Sequence, residues 1–232
     1  MRPMKKRVVI LISGRGSNMS ALIEAAGDPG FPAQIVGVIS NRSDAKGLAA
    51  AASLGIETKA ITRADHTDKA AQDAALDAEL KRLKADIVCL AGYMRLLTPS
   101  FTEKWAGRMI NIHPSLLPLY KGLDTHQRAI DAGMRVHGCT VHFVTAEMDD
   151  GPIIAQAAVP ILPSDDADTL ANRVLGVEHQ LYSLALRLVA EGKATMKDGR
   201  AVLSGVSAEG SLLSPGSASE AVDIESLARM TP

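Results

Sequence analysis

Short apolar runs alternate with longer, Ala-rich amphipathic stretches, and this alternation constrains the fold more than any other feature. Residues 7–12 form a β-branched run, followed by Gly14-Arg15-Gly16-Ser17-Asn18 and a helix-forming segment at 19–26. Residues 34–40 read as a second strand, 45–54 as a helix closed by Gly55, and 57–61 as a third strand. Residues 68–83 carry apolar side chains at Ala71, Ala75, Leu76, Leu80 and Leu83, a helical spacing. Residues 86–91 are apolar on both faces, as in a strand buried within a parallel sheet. A βαβαβαβ opening of this kind predicts a Rossmann-like, doubly wound α/β sheet.

The second half departs from that rhythm. Residues 108–113, 138–145 and 152–161 read as strands, and the last two are joined by the short loop 146–151. They predict an antiparallel hairpin added to a mostly parallel sheet. Leu170, Val174, Val177, Leu181, Leu184 and Leu188 step by fours and threes and predict one apolar stripe on a long helix. Asp198-Gly199, between two short runs, is a hairpin signal. Residues 1–203 are expected to form one domain, in two halves at about 1–100 and 101–203. Residues 204–232 are rich in Ser, Gly and Ala and are expected to be a flexible tail.

Composition narrows the function classes. A net charge of −1 gives no broad basic field for nucleic acid or an anionic membrane. Aromatic residues at 3% leave few stacking platforms for single strands. No apolar run approaches the roughly 20 residues needed to span a bilayer. Cys89 and Cys139 each lie in an apolar stretch and are expected to be buried, reduced thiols of a cytoplasmic protein. No CxxC or HxxxH spacing exists, so no metal site is expected.

Three segments can carry chemistry. The loop 13–18 joins a strand to a helix, where glycines and exposed N–H groups favour phosphate. It is neither a Walker A loop nor GxGxxG, which points to a phosphate monoester. Asn111 and His113 are two apart on a strand and share a face at the sheet's carboxyl edge, where an amide and an ionisable donor can stabilise an oxyanion. The loop 147–152 holds Glu147, Asp149 and Asp150, and one carboxylate there can reach across to orient or deprotonate a histidine. His142, between Val141 and Phe143, reads as a half-buried structural residue.

Taken together, LISGRGSN at 11–18, LAGYMRLL at 90–97, MINIHPSLLP at 109–118 and GCTVHFVTAEMDDGPII at 138–154 resemble the phosphoribosylglycinamide formyltransferases. The resemblance runs from about residue 8 to 203. It implies formyl transfer from the co-substrate 10-formyltetrahydrofolate to the amine of glycinamide ribonucleotide, in purine biosynthesis. It implies Asn111, His113 and Asp149 as the catalytic set. Asn111 binds the formyl oxygen, His113 stabilises the oxyanion when protonated, and Asp149 pairs with His113 and relays protons toward N10 of the folate. Gly16, Ser17, Asn18 and Glu178 are implied as the nucleotide site. Lys69, Met94, Arg95, Leu96, Leu97, Asn111, Thr145, Ala146, Glu147, Met148 and Asp149 are implied as the folate site. A cis Leu117-Pro118 bond is implied as well. Small-molecule partners follow, with a monomer or homodimer left open.

Departures from the family pattern are Arg15 in the first loop, Asp124 where some members carry His, and Ala146 where some carry Asp. Two other readings stay in play: a 10-formyltetrahydrofolate deformylase, with water as the acceptor, and a non-catalytic module binding a phosphorylated ligand. The second has no use for Asn111, His113 and Asp149 together.

Overall fold

A computed structural model describes residues 4–206. The expected tail falls almost entirely outside the described residues. Nine strands and six α-helices follow in chain order among those residues: β1 (Lys6–Ile12), α1 (Ser17–Gly27), β2 (Ala33–Ser40), α2 (Lys46–Ser53), β3 (Thr58–Ala60), α3 (Lys69–Arg82), β4 (Ile87–Leu90), α4 (Pro99–Lys104), β5 (Met109–His113), α5 (Thr125–Asp131), β6 (Val136–Phe143), β7 (Ile153–Pro160), α6 (Ala167–Ala190), β8 (Ala194–Lys197) and β9 (Arg200–Leu203). Seven strands form one sheet in the order β3-β2-β1-β4-β5-β6-β7. The first five run parallel, and β6 and β7 join antiparallel, as the sequence predicts. β8 and β9 pair as a separate two-stranded sheet, with Asp198 and Gly199 both at positive φ in the turn.

Period-two alternation splits the core between the two faces. Val8, Ile10 and Ile12 pack with Met19 and Leu22 of α1, Ala51 of α2, and Leu170, Val174 and Tyr182 of α6. Val9 and Leu11 face the other way, onto Leu76 and Leu80 of α3, and Phe101 and Trp105 at α4. Each strand of the sheet's centre is therefore buried on both sides, and its continuous apolar run is the result.

The stripe expected on α6 is corrected in its second half. Leu170, Val174, Leu181 and Leu188 are buried, but Leu184 is 50% exposed, while Tyr182, Ala185 and Leu186 turn inward. A spacing of seven drifts by about 20° per heptad on a 3.6-residue helix, so over this length the buried face moves off the stripe. α6 and α3 begin at Asp166 and Asp68, whose carboxylates accept from the N–H of Thr169 and Ala71.

The strand order reverses between β1 and β4, and there the chain leaves two loops at the carboxyl edge. Ser13, just past β1, ties both to the loop after β2. Its hydroxyl donates to Asn41 Oδ1 at 2.6 Å and accepts from the Met94 N–H at 2.7 Å, while its own N–H donates to the Gly92 carbonyl at 3.1 Å. Gly47 brings α2 against this loop. Its N–H donates to the Gly14 carbonyl at 3.0 Å, and a Cβ there would sit 2.5 Å from Ile12 Cδ1.

Candidate active site

β5 ends at the carboxyl edge with Asn111 and His113 on one face and Ile112 on the other. β6 runs back beside it in a register that pairs Asn111 with His142 and His113 with Thr140. The loop that follows β6 then returns Asp149 to the end of β5, with Asp149 in the left-handed region at φ 52°. Asp149 Oδ2 stands 3.4 Å from His113 Nδ1 and accepts from the Gly122 N–H at 3.0 Å. Thus Asn111 and His113, neighbours on one face of β5, are joined at the edge by Asp149 from the hairpin loop. The meeting of Asp149 with His113 is the approach that spacing alone had only allowed.

Backbone carbonyls hold both buried imidazoles. His113 Nε2 lies 3.0 Å from the Tyr120 carbonyl, an acceptor, so that nitrogen carries the proton. Nδ1 is then the nitrogen that faces Asp149. His142 is anchored the opposite way, with Nδ1 at 2.9 Å from the Phe143 carbonyl and Nε2 toward Asn111 Nδ2 at 3.3 Å. The expectation of a half-buried structural residue is corrected here. His142 is 2% exposed and in contact with the site, because the strand register sets it beside Asn111. Burial lowers its pKa from the ordinary histidine value, against smaller opposing effects from the Phe143 carbonyl and Asp149, so it is neutral near pH 7.

The loop after β5 closes this side. The Leu117-Pro118 bond is cis, and Tyr120, Gly122 and Asp124 all have positive φ. Lys121 pairs with Asp150, and Thr125 Oγ1 donates to the Pro114 carbonyl at 2.6 Å. His126 and His137 stack edge to face, 5.1 Å between centroids. Burial pushes His137 down to about 4 and lowers His126 as well.

On the α1 side, Gly16 stands at the N-cap of α1 at φ 78°, with no side-chain cap and no acidic residue in the first turn. The first N–H groups of a helix have no partner within it, so Ser17 and its neighbours offer donors to an anion. Asn18 does something the sequence did not reveal. Its Nδ2 donates to Glu178 Oε2 of α6 at 2.6 Å, and both side chains are buried. Burial raises the Glu178 pKa, only partly offset by the Asn18 hydrogen bond. Ser13 lies in the loop singled out from the sequence, but its link to Asn41 was missed, since no local pattern marks a hydroxyl that joins three loops.

The residues expected around a folate fall at the loop after β4 and at the hairpin loop. Met94, Leu96 and Met148 are exposed apolar side chains, and Thr145 is half-buried beside exposed Ala146 and Glu147. Leu97 instead packs beneath, against the core with Phe101 and Trp105. The Arg95 guanidinium also turns inward. It pairs with buried Asp73 at 2.5 Å and donates to the Lys69 carbonyl at 3.1 Å. Only the backbone of Arg95 is therefore left for a ligand at this edge. The Lys69 side chain is exposed at the start of α3. Cys89 and Cys139 are buried free thiols. No group of three or more His, Cys, Asp or Glu side chains among the described residues could hold a metal ion. No helix among them is long and apolar enough to cross a membrane.

Comparison with known proteins gives consistent matches. A family model described as formyl transferase matches residues 6–186. The chain is 44% identical over 200 residues to the phosphoribosylglycinamide formyltransferase of Haemophilus influenzae, covering 86% of this chain and 94% of that protein. It is 48% identical over 192 residues to the trifunctional purine biosynthetic protein adenosine-3 of Bos taurus, covering 83% of this chain but 19% of that longer protein. The crystal structure of phosphoribosylglycinamide formyltransferase from Brucella melitensis superposes with a TM-score of 0.78 at 59% identity, covering 80% of this chain and 96% of that one.

Proposed function

Because this chain belongs to the formyl transferase family, we propose that it transfers the formyl group of 10-formyltetrahydrofolate to the amine of glycinamide ribonucleotide. The observation that carries the reading is the convergence of Asn111, His113 and Asp149 at the carboxyl edge, with Asp149 Oδ2 3.4 Å from His113 Nδ1. The products are formylglycinamide ribonucleotide and tetrahydrofolate, a step of purine biosynthesis.

The chemistry follows from the donors. The amine nitrogen attacks the formyl carbon, a C–N bond forms, and the formyl oxygen takes up negative charge. The Asn111 amide and protonated His113 Nδ1 stabilise that charge, each such donor being worth ~10²–10³ in rate. The attacking nitrogen must lose a proton and N10 must gain one before its bond to carbon breaks. Asp149 accepts the first and, with His113, returns it toward N10. Its carboxylate is held by one N–H, from Gly122, which leaves lone pairs for this work. Bringing two substrates together supplies much of the remaining acceleration.

The substrates fit what surrounds this point. A phosphate monoester suits the uncapped N-terminus of α1 at Gly16 and Ser17, and Asn18 and Glu178 stand ready for the sugar or the glycinamide. A flat pteridine suits the backbone of residues 94–97 and 145–149, with Met94, Leu96 and Met148 as apolar cover. Lys69 supplies a cation for the glutamate tail, as a point charge rather than a bidentate fork. The ligands are small molecules, and the proposed place of action is the cytoplasm.

The test is a formyl-transfer assay that follows release of the folate product with and without glycinamide ribonucleotide. Nucleotide-dependent release that falls ~10²–10⁴-fold in Asp149→Asn supports the reading. Release that needs only water would make the protein a deformylase, and no release would leave a binding module.

A further inference from the structure

We propose that His142 is a positioning residue for this reaction, whose Nε2 holds the Asn111 carboxamide in one orientation and so presents an N–H to the formyl oxygen. The proposal rests on the formyl-transfer reading above. The two side chains are cross-strand neighbours, Asn111 on β5 and His142 on β6. The Phe143 carbonyl can only accept, so His142 Nδ1 at 2.9 Å carries the hydrogen. A neutral imidazole has a single N–H, and Nε2 is then a bare acceptor.

That acceptor decides which end of the amide it meets. Nδ2 of Asn111 lies 3.3 Å away and donates one of its two N–H bonds to Nε2. The second N–H stays available to an incoming carbonyl oxygen. If the amide were turned over, Oδ1 would face the lone pair of Nε2, and Asn111 would meet the oxyanion with an acceptor. A protonated His142 would invert this preference, because Nε2 would then need Oδ1. Burial opposes that protonation, as does the charge of His113, while Asp149, Asp150 and the Phe143 carbonyl favour it. Asp149 Oδ1 stands 3.9 Å from Nε2, beyond hydrogen-bond distance, so Asn111 is the group that Nε2 serves.

Space around the ring is shaped for this arrangement. Gly151 lies against the Phe143 carbonyl and His142 Nδ1, where a Cβ would come within 1.6 Å and 3.1 Å of them. A role in packing alone would not couple His142 to Asn111. The Phe143 carbonyl fixes the tautomer under either role, so coupling between His142 and Asn111 is the signature that separates the two.

Two measurements test the proposal. Nitrogen NMR of the wild-type protein near neutral pH is expected to show His142 with a protonated Nδ1 and a bare Nε2. A kinetic cycle combines His142→Leu with Asn111→Ala. The leucine variant is expected to lose about 10- to 100-fold in kcat with KM for both substrates nearly unchanged, and to lose little further in the Asn111→Ala background. His142→Gln, which restores an acceptor, is expected to recover most of the loss. A protonated Nε2, or an equal cost of His142→Leu in both backgrounds, would overturn the proposal. If the leucine variant does not fold, a folded His142→Gln that itself loses about 10-fold or more in kcat does the same. A wild-type protein that transfers no formyl group would remove the reaction itself, and the tautomer would still be readable.

Discussion

Asn18 and Glu178 lie 160 positions apart, yet their side chains share a 2.6 Å hydrogen bond that joins the first turn of α1 to the middle of α6. Both residues are buried at the carboxyl edge, and the bond sets the carboxylate beside the uncapped helix N-terminus. Removing the amide in Asn18→Ala would leave a buried carboxylate with less support. A loss of about 1–3 kcal/mol in urea unfolding is expected, with a higher KM for glycinamide ribonucleotide. Glu178→Gln keeps an acceptor for Asn18, so it should fold like the wild type and lose nucleotide affinity without a matching change in the folate KM.

Gly151→Ala should be among the most damaging single-methyl changes. The added carbon would meet the Phe143 carbonyl oxygen at 1.6 Å, a backbone atom that cannot rotate away. Overpacking of this kind costs about 1–3 kcal/mol. The same shift moves Asp149 and the carbonyl that anchors His142, so kcat is expected to fall further than stability. Thermal unfolding and steady-state kinetics on one preparation check both.

Stability should weaken on mild acidification. His137 and His142 are buried and His126 is half-buried, with pKa values below the ordinary 6.5 and His137 at about 4. The unfolded chain takes up protons on these groups as pH falls through 6.5, while the folded one does not. The unfolded state then binds more protons, so unfolding free energy declines from about pH 6.5 toward 4. Glu178 acts oppositely, since its raised pKa makes the folded state hold a proton longer as pH rises. Urea midpoints measured from pH 7.5 to 4.5 are expected to fall, and His137→Phe should flatten the slope.

Neither cysteine should react in the native protein. Burial pushes the Cys89 and Cys139 thiols up to about 12, which leaves almost no thiolate at neutral pH. Thiol titration is expected to find no reactive group before denaturation and both after it. Early reaction would mean that the sheet opens locally near β4 or β6.

Much of this was legible in the chain itself. Runs such as Val8 to Ile12 announce buried strands because both faces of the sheet are covered, and the β6–β7 hairpin announces itself by a short polar loop. α4 was not legible, being six residues with a proline at its start and no stripe long enough to show a period. The position of Leu184 was not, because a heptad count drifts off a straight helix. Among the site residues, the pairing of Asn111 with His113 could be read from strand geometry. The contacts of His142 with Asn111 and of Asn18 with Glu178 depend on strand register and helix packing across the fold, for which no local pattern exists.

The side chains of this site rest on two kinds of support. Asn111, His113 and His142 ride on paired strands, and their spacing is dictated by a hydrogen-bonded ladder. Asp149 rides on a hairpin loop, in a left-handed conformation, tethered by the Gly122 N–H and the neighbouring Lys121–Asp150 pair. The strand-borne side chains are thus fixed by the ladder, while the place of the carboxylate is set by the path of a loop. A change in the length of that loop would move the carboxylate and leave the other three side chains where they stand.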